Sequence, residues 1–230
     1  MKKVFITGVG SGYGEALAEL FLKKGYSVYA LSRHLPDRLR GKVHFNKADL
    51  LALENIYRSL DVLLKDVNDI EIAILNAGIL TELKDIHDTP IYEMKMMMDL
   101  NVWANKIILD YFIDKKINVK TVIAVSSGAS VNGNRGWHGY SISKAALNML
   151  IKLYSREMEN THLIALAPGL ILTPMLEKFV LSADENKFPS VKRIKNAPKM
   201  TPEEAANLLY EKLDILRTFP SGSYVDIRNI

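Results

Sequence analysis

Residues Thr7-Gly8-Val9-Gly10-Ser11-Gly12-Tyr13-Gly14 follow the apolar run Lys3-Val4-Phe5-Ile6 and lead straight into Leu17, Leu20 and Phe21, apolar residues at helical spacing. The pattern reads as a strand, a glycine turn and a helix. Glycines at such a junction let the backbone turn tightly and approach a pyrophosphate, which then meets the unsatisfied N–H groups and the positive end of the helix. The strict Gly-x-Gly-x-x-Gly spacing is not met, because Tyr13 and Glu15 occupy the two possible final positions; what fits is Thr-Gly-x-x-x-Gly-x-Gly. No Lys-Ser or Lys-Thr pair follows the last glycine, which disfavours a nucleoside triphosphate loop. The plainer reading of the same residues is a tight βα turn without a ligand.

Outward from this turn, short β-branched runs alternate with longer helical patterns. Lys3–Ile6, Ser27–Leu31, Val43–Asn46, Ile70–Leu75, Thr121–Val125 and His162–Ala167 read as strands. Several are apolar throughout, as expected when helices cover both faces of a sheet. Leu53, Ile56, Tyr57, Leu60, Leu64 and Val67 form a core-facing helical stripe, and one long helix is expected from about Ile91 to Ile113. Its Met94, Met96, Met97 and Met98 suit adaptable packing better than ligation. A further helix is expected over roughly Tyr140 to Met158. The last begins at Thr201-Pro202-Glu203-Glu204, with Thr201 as N-cap, Pro202 at N1 and Glu204 at N3. Strand and helix in regular alternation predict an α/β fold with a mostly parallel sheet.

The 230 residues suit one domain spanning 1–230. Hydrophobic residues make up 48% and charged residues 24%, a globular balance that excludes disordered, collagen-like and coiled-coil chains. Cysteine is absent, which excludes disulfides, thiolate nucleophiles and Cys-ligated metals. Glycines and Glu15 interrupt any signal-like apolar stretch after Met1, so a cytoplasmic protein is expected. The longest apolar run, Leu163 to Leu172, is split by Pro168-Gly169 and is too short to span a membrane. No histidine pairing suggests a metal site. Lys and Arg exceed Asp and Glu by 30 to 26, and the clustered Lys187, Lys192, Arg193, Lys195 and Lys199 lack interleaved aromatics beyond Phe188. A solvated loop is the reading of that cluster, and no nucleic-acid partner is expected. It falls within the stretch from Pro174 to Met200, which breaks the βα rhythm and carries the apolar set Met175, Leu176, Phe179, Val180 and Leu181. A lid at about 174–200 is the expectation.

At the end of the second expected strand stands Ala30-Leu31-Ser32-Arg33-His34. Dinucleotide folds that prefer NAD place an acid near here for the ribose 2′-OH. No carboxylate occurs before Asp37, whereas the planar guanidinium of Arg33 can pair with a 2′-phosphate and stack on adenine. NADP(H) is therefore expected over NAD(H), with a plain surface role for Arg33 as the alternative. Ser11 adds no basic support from within the turn.

Tyr140-Ser141-Ile142-Ser143-Lys144 puts a phenol and an ammonium four residues apart at the start of an expected helix, hence on one face. A cation beside a phenol favours phenolate and lowers its pKa from ~10 toward working pH, where tyrosine becomes a proton donor and acceptor. Taken together the chain resembles the short-chain dehydrogenase/reductase family over essentially its whole length. Thr7-Gly8-x-x-x-Gly12-x-Gly14, with Ser11 and Tyr13 inside it, resembles the family's cofactor turn. Asp49-Leu50 resembles its adenine contact and Asn76-Ala77-Gly78 its fourth-strand motif. Ser127, thirteen residues before Tyr140, joins Lys144 as the catalytic set. Asn101 matches the fourth catalytic residue, and Pro168-Gly169-Leu170-Ile171-Leu172-Thr173 the nicotinamide clamp.

The resemblance implies a Rossmann-like, doubly wound sheet of order 3-2-1-4-5-6-7 and nicotinamide-dependent carbonyl reduction or alcohol oxidation. Tyr140 would donate a proton to the carbonyl oxygen and Ser127 would hydrogen-bond it. Lys144 would hold the nicotinamide ribose and lower the Tyr140 pKa; Asn101 would position a water, or else only kink its helix. Ser126 competes with Ser127, which spacing and strand alternation favour. The runs Ser126–Ala129, Trp137–Tyr140, Ser143–Asn148 and Ala167–Gly169 are similar to the sepiapterin reductase and benzil reductase branch, whose members use NADPH on vicinal dicarbonyl compounds. Trp137 and His138 either border the substrate or, for His138, only sit at the helix entrance. The resemblance further implies a small carbonyl or alcohol substrate and a homodimer or homotetramer, with the helices near 91–113 and 140–158 as contact surfaces. A non-catalytic NADP-binding sensor is the alternative function, and a methyltransferase a third.

Overall fold

Strand β1 (Lys3–Thr7) opens the chain, and helix α1 (Gly12–Lys23) follows across the glycine turn. A computed structural model describes all residues, 1–230. In chain order come β2 (Ser27–Ser32), β3 (His44–Lys47), α2 (Leu53–Leu63), β4 (Asp69–Leu75), α3 (Ile91–Met98), α4 (Ala104–Asp114), β5 (Asn118–Val125), α5 (Ala129–Asn132), α6 (His138–Glu157), β6 (His162–Ala167), α7 (Pro174–Leu176), α8 (Pro189–Asn196), α9 (Pro202–Leu216) and β7 (Ser223–Asp226). All seven strands form one parallel sheet of order β3-β2-β1-β4-β5-β6-β7. This is the Rossmann-like order that the resemblance implied.

Period-two alternation sorts the strand residues into two core layers. Phe5, Ala73, Leu75, Val122, Ala124, Leu163 and Ala165 pack against α2, α4 and α6. Val4, Ile6, Ile72, Ile74, Ile123, Ile164 and Leu166 pack against α1 and α9. Full burial of each large aliphatic or aromatic side chain contributes roughly 1.5–3 kcal/mol. Because β1 and β4 are neighbours and their crossovers leave in opposite directions, a crevice opens at the C-terminal ends of the strands, where ligands of such sheets bind.

The differences from the sequence reading are local. The expected helix from Ile91 to Ile113 is α3 and α4 joined by a wide, π-helical turn over Asp99–Trp103. Such a turn inserts one extra residue and re-aims the side chains around it, and Asn101 lies inside it. Strand β7 was not read from the pattern, because four residues of mixed exposure carry no clear alternation. The stretch from Pro174 to Met200 holds α7, a π turn at Glu177–Leu181 and α8. The basic cluster is only partly a loop: Lys187 and Lys199 lie in connecting segments, but Lys192, Arg193 and Lys195 lie on the exposed face of α8, while Val191 and Ile194 are buried. Lys187 and Lys195 pair with Asp85 and Glu185. At α9 the capping box forms as expected: Glu204 N–H donates to Thr201 Oγ1 at 3.1 Å and Thr201 N–H to Glu204 Oε2 at 2.8 Å. No helix is long and apolar enough to cross a membrane.

Candidate active site

A cavity of about 380 Å³ occupies the crevice. Its floor is the glycine turn. Gly8 has φ +75° and Gly12 φ +60°, conformations that side chains with a Cβ rarely adopt. Gly14 has another reason to be glycine: a Cβ there would collide with the Gly8 carbonyl oxygen and Asn76 Nδ2. Ser11 gives α1 no side-chain cap. The first N–H groups of that helix thus face a cavity lined by Ser11, Gly12, Tyr13 and Gly14. This cradle fits the pyrophosphate of a dinucleotide.

Thr7 does not line the cavity; it holds the floor together. Its hydroxyl accepts from the Asn76 and Ala77 N–H groups, each at 3.0 Å, and Asn76 Nδ2 donates back to the Thr7 and Gly8 carbonyls at 3.1 Å. The ends of β1 and β4 are thereby stitched side by side. Ser32, Arg33 and Asp49 line one end of the cavity with Leu50, joined by Gly10 of the turn and by His34, to which the sequence reading gave no role. The Arg33 side chain is exposed and forms no ion pair, whereas Asp49 Oδ1 accepts from Leu51 N–H at 3.1 Å.

At the other end stand Ser127, Tyr140 and Lys144, with Ala77 and Gly78 and the clamp residues Pro168, Gly169, Ile171 and Thr173. Ser127 follows β5, while Tyr140 and Lys144 share one face of α6. Ser126 does not compete: it is buried and donates from Oγ to Asn148 Oδ1 at 2.5 Å. The Ser127 hydroxyl accepts the Ala129 N–H at 3.1 Å, which leaves its own proton to donate, and it opposes the burial-driven rise in the Tyr140 pKa. Lys144 Nζ donates to the Val125 carbonyl at 2.6 Å. Gly78 lets these groups approach, since a Cβ on it would stand 3.4 Å from Lys144 Nζ and 3.2 Å from Asn101 Oδ1.

The electrostatics depart from the expected phenolate. Burial pushes the Tyr140 phenol up to about 12, with the Ser127 hydroxyl opposing, and the Lys144 charge is not among the causes. Burial also lowers the Lys144 ammonium to about 8. Without a bound partner, then, desolvation outweighs the pairing that the sequence suggested.

Asn101 does not reach the cavity either. Its Oδ1 accepts from Ile79 N–H at 2.8 Å, and its Nδ2 donates to the Ile79 carbonyl at 3.0 Å and to Ser143 Oγ at 2.9 Å. The π turn therefore clamps the chain beyond β4 against α6. Trp137 lines the cavity, but His138 does not; its Nε2 bonds the Glu82 carbonyl at 3.0 Å.

Beyond Tyr140 the wall is apolar: Leu80, Trp137, Leu170, Met175, Leu176 and Val180 line it. Of the four cavity residues that can carry charge, Arg33, His34 and Asp49 lie at the far end and only Lys144 near Tyr140. The apolar set after Pro174 was visible in the sequence, whereas Leu80 carried no signal beyond hydrophobicity.

Comparison with known proteins agrees with this geometry. The family model for short chain dehydrogenases matches residues 2–183. The benzil reductase ((S)-benzoin forming) of Bacillus subtilis (strain 168) is 30% identical over 206 residues, covering 85% of this chain and 84% of that protein. A Bacillus cereus protein of the same description is 27% identical over 250 residues, covering 99% of each. Among solved structures, the KRED1-Pglu enzyme superposes with a TM-score of 0.84 at 23% identity, covering 98% of this chain and all of that one, a likeness of fold. A glycine cradle at the switch point of the sheet, a tyrosine and lysine on one helix face, and the family match over most of the chain converge: this chain belongs to the short-chain dehydrogenase family of oxidoreductases.

Proposed function

We propose that the protein reduces a small, uncharged carbonyl compound to the alcohol, with NADPH as reductant and Tyr140 as general acid. The observation that carries this is the gathering of Tyr140, Ser127 and Lys144 on one wall of the cavity whose floor is the glycine cradle. The cradle and the N-terminus of α1 would hold the pyrophosphate, Arg33 a 2′-phosphate, and Lys144 the nicotinamide ribose, between Asn76-Ala77-Gly78 and the Pro168–Thr173 clamp. When bound, the reduced nicotinamide supplies the hydride.

The chain's own residues handle the proton. A phenol held near 12 is protonated throughout the neutral range, as a donor to a developing alkoxide must be. Ser127, which accepts from the Ala129 N–H and keeps its own proton, donates a second hydrogen bond to that oxygen. Lys144 replenishes the charge balance as the phenol gives up its proton, and Asn101 keeps Ile79 and Ser143 in place around it. A water relay through Asn101 belongs to the same reading. The apolar wall and the segment at 174–200 exclude water and select against carboxylated substrates, since no cation other than Lys144 faces them. The aromatic diketone named for two relatives is a substrate of this kind.

The test is NADPH oxidation by the purified protein across a panel of ketones, aldehydes and diketones. Tyr140→Phe should abolish turnover and leave NADPH binding intact. Normal turnover in that variant would overturn the assignment of Tyr140, and binding of NADPH by the wild type with no turnover of any carbonyl would instead support the sensor reading.

A further inference from the structure

Ser127 is useful only if its hydroxyl stays opposite Tyr140, yet the two stand on different elements: Ser127 on the turn between β5 and α5, Tyr140 on α6. Asn148 lies one turn beyond Lys144 and two beyond Tyr140, on the same face of α6. Its two amide atoms engage both sides of Ser127. Oδ1 accepts from Ser126 Oγ at 2.5 Å, which holds the residue before Ser127. Nδ2 donates to Ser130 Oγ at 2.9 Å, and Ser130 Oγ in turn donates to the Ser127 carbonyl at 2.6 Å. Tyr224, from β7, reaches the same carbonyl at 3.5 Å.

We propose that Asn148 is the positioning residue that locks the Ser127 turn to the helix carrying Tyr140 and Lys144, so that serine and phenol move as one unit. The direction of each bond makes the chain specific. Ser130 has one hydroxyl proton, which it gives to Ser127 because Asn148 offers it an N–H rather than an oxygen. A carboxylate at position 148 would still accept from Ser126 but would also attract the Ser130 proton, which releases the Ser127 carbonyl. An apolar side chain of similar size would release both. Such coupling matters because a displacement of about 1 Å between reacting groups can cost on the order of a hundredfold in rate.

This inference rests on the carbonyl-reductase reading, so the variants Asn148→Asp, Asn148→Leu, Ser130→Ala and Ser130→Thr are compared with Tyr140→Phe. The proposal expects kcat to fall by about tenfold to a hundredfold in the first three. It expects NADPH affinity, read by nucleotide fluorescence, to hold, and Ser130→Thr, which keeps the hydroxyl, to retain wild-type kcat. Crystal structures of Asn148→Asp and Ser130→Ala read the Ser127 Oγ to Tyr140 hydroxyl separation without any substrate. A separation longer than in the wild type supports the proposal, and an unchanged separation overturns it even where a variant is too unstable for kinetics. Wild-type kcat in Asn148→Asp and Ser130→Ala also overturns it. If Tyr140→Phe turns over normally, the reductase reading itself has failed, a result the structural readout keeps separate.

Discussion

The ammonium of Lys144 lies 5.7 Å from the centre of the Tyr140 ring, over the face of the phenol rather than against its hydroxyl. It satisfies itself on the Val125 carbonyl instead, and both groups are held toward their neutral forms by burial.

The first consequence is a pH dependence set by lysine rather than tyrosine. With the Lys144 ammonium lowered to about 8, the free protein loses this charge above that pH. The kcat/KM for NADPH, which reports the free enzyme, should therefore fall as pH rises through about 8. In Lys144→Arg, whose guanidinium does not titrate there, whatever activity remains should show no such limb. An unchanged limb in that variant would assign the titration elsewhere.

The same burial makes Lys144 a burden on stability in the ligand-free fold. Its folded value near 8 lies below the ordinary 10.5, so the unfolded chain binds the proton more tightly. The penalty is fully present below pH 8 and is relieved as pH rises toward 10.5, the sign opposite to that of a paired lysine. Lys144→Met should stabilise the fold at neutral pH by on the order of 1–3 kcal/mol while losing activity, as expected where function is carried by a strained group. Denaturant titration at pH 7 and at pH 10 checks both sign and window, and a variant less stable than wild type at pH 7 contradicts the account.

Arg33 is exposed, unpaired and on the cavity rim. Arg33→Ala should weaken NADPH binding by about 1–3 kcal/mol through loss of a charge-assisted bond and leave NADH nearly unchanged. Equal losses for the two nucleotides, measured by fluorescence titration, would remove Arg33 from cofactor selection.

Thr7 is fully buried, and its hydroxyl is the acceptor for two backbone N–H groups. Thr7→Val keeps the shape but strands the Ala77 N–H, at about 1–3 kcal/mol, and leaves the Asn76 N–H only the Ile74 carbonyl at 3.1 Å. Thr7→Ser should restore most of the loss in melting temperature. If Thr7→Val melts with the wild type, the stitch between β1 and β4 is not what holds the cradle.

The Tyr13 hydroxyl is buried with no protein partner. Tyr13→Phe removes an unsatisfied polar atom without changing the packed ring, so thermal unfolding should show equal or higher stability, by up to about 1–3 kcal/mol. A clear loss of stability would mean that the hydroxyl is satisfied in solution.

Most of the strand order and the contents of the cavity were legible in the chain. The glycine turn, Arg33, the Tyr140–Lys144 pair and the Pro168–Thr173 clamp are each short, local signals, because a backbone conformation or a helix face depends on residues a few positions apart. Strand β7 and the wide turn at Asp99–Trp103 were not legible: one is too short for its period to show, and the other is an insertion within an unbroken helical pattern.

The sequence by itself determined the glycine turn, the pairing of Tyr140 and Lys144 on one helix face, and what chemistry such side chains can perform. Only the tertiary structure decided what they do to each other. It put Thr7 beneath the cavity as a fastener of backbone, tied the Asn101 amide to Ile79 and Ser143, separated Ser126 from Ser127, and let burial rather than the Lys144 charge govern Tyr140. The reason is physical: a motif specifies side chains and their spacing along an element, whereas hydrogen-bond partners and desolvation depend on what other elements bring against them across the fold.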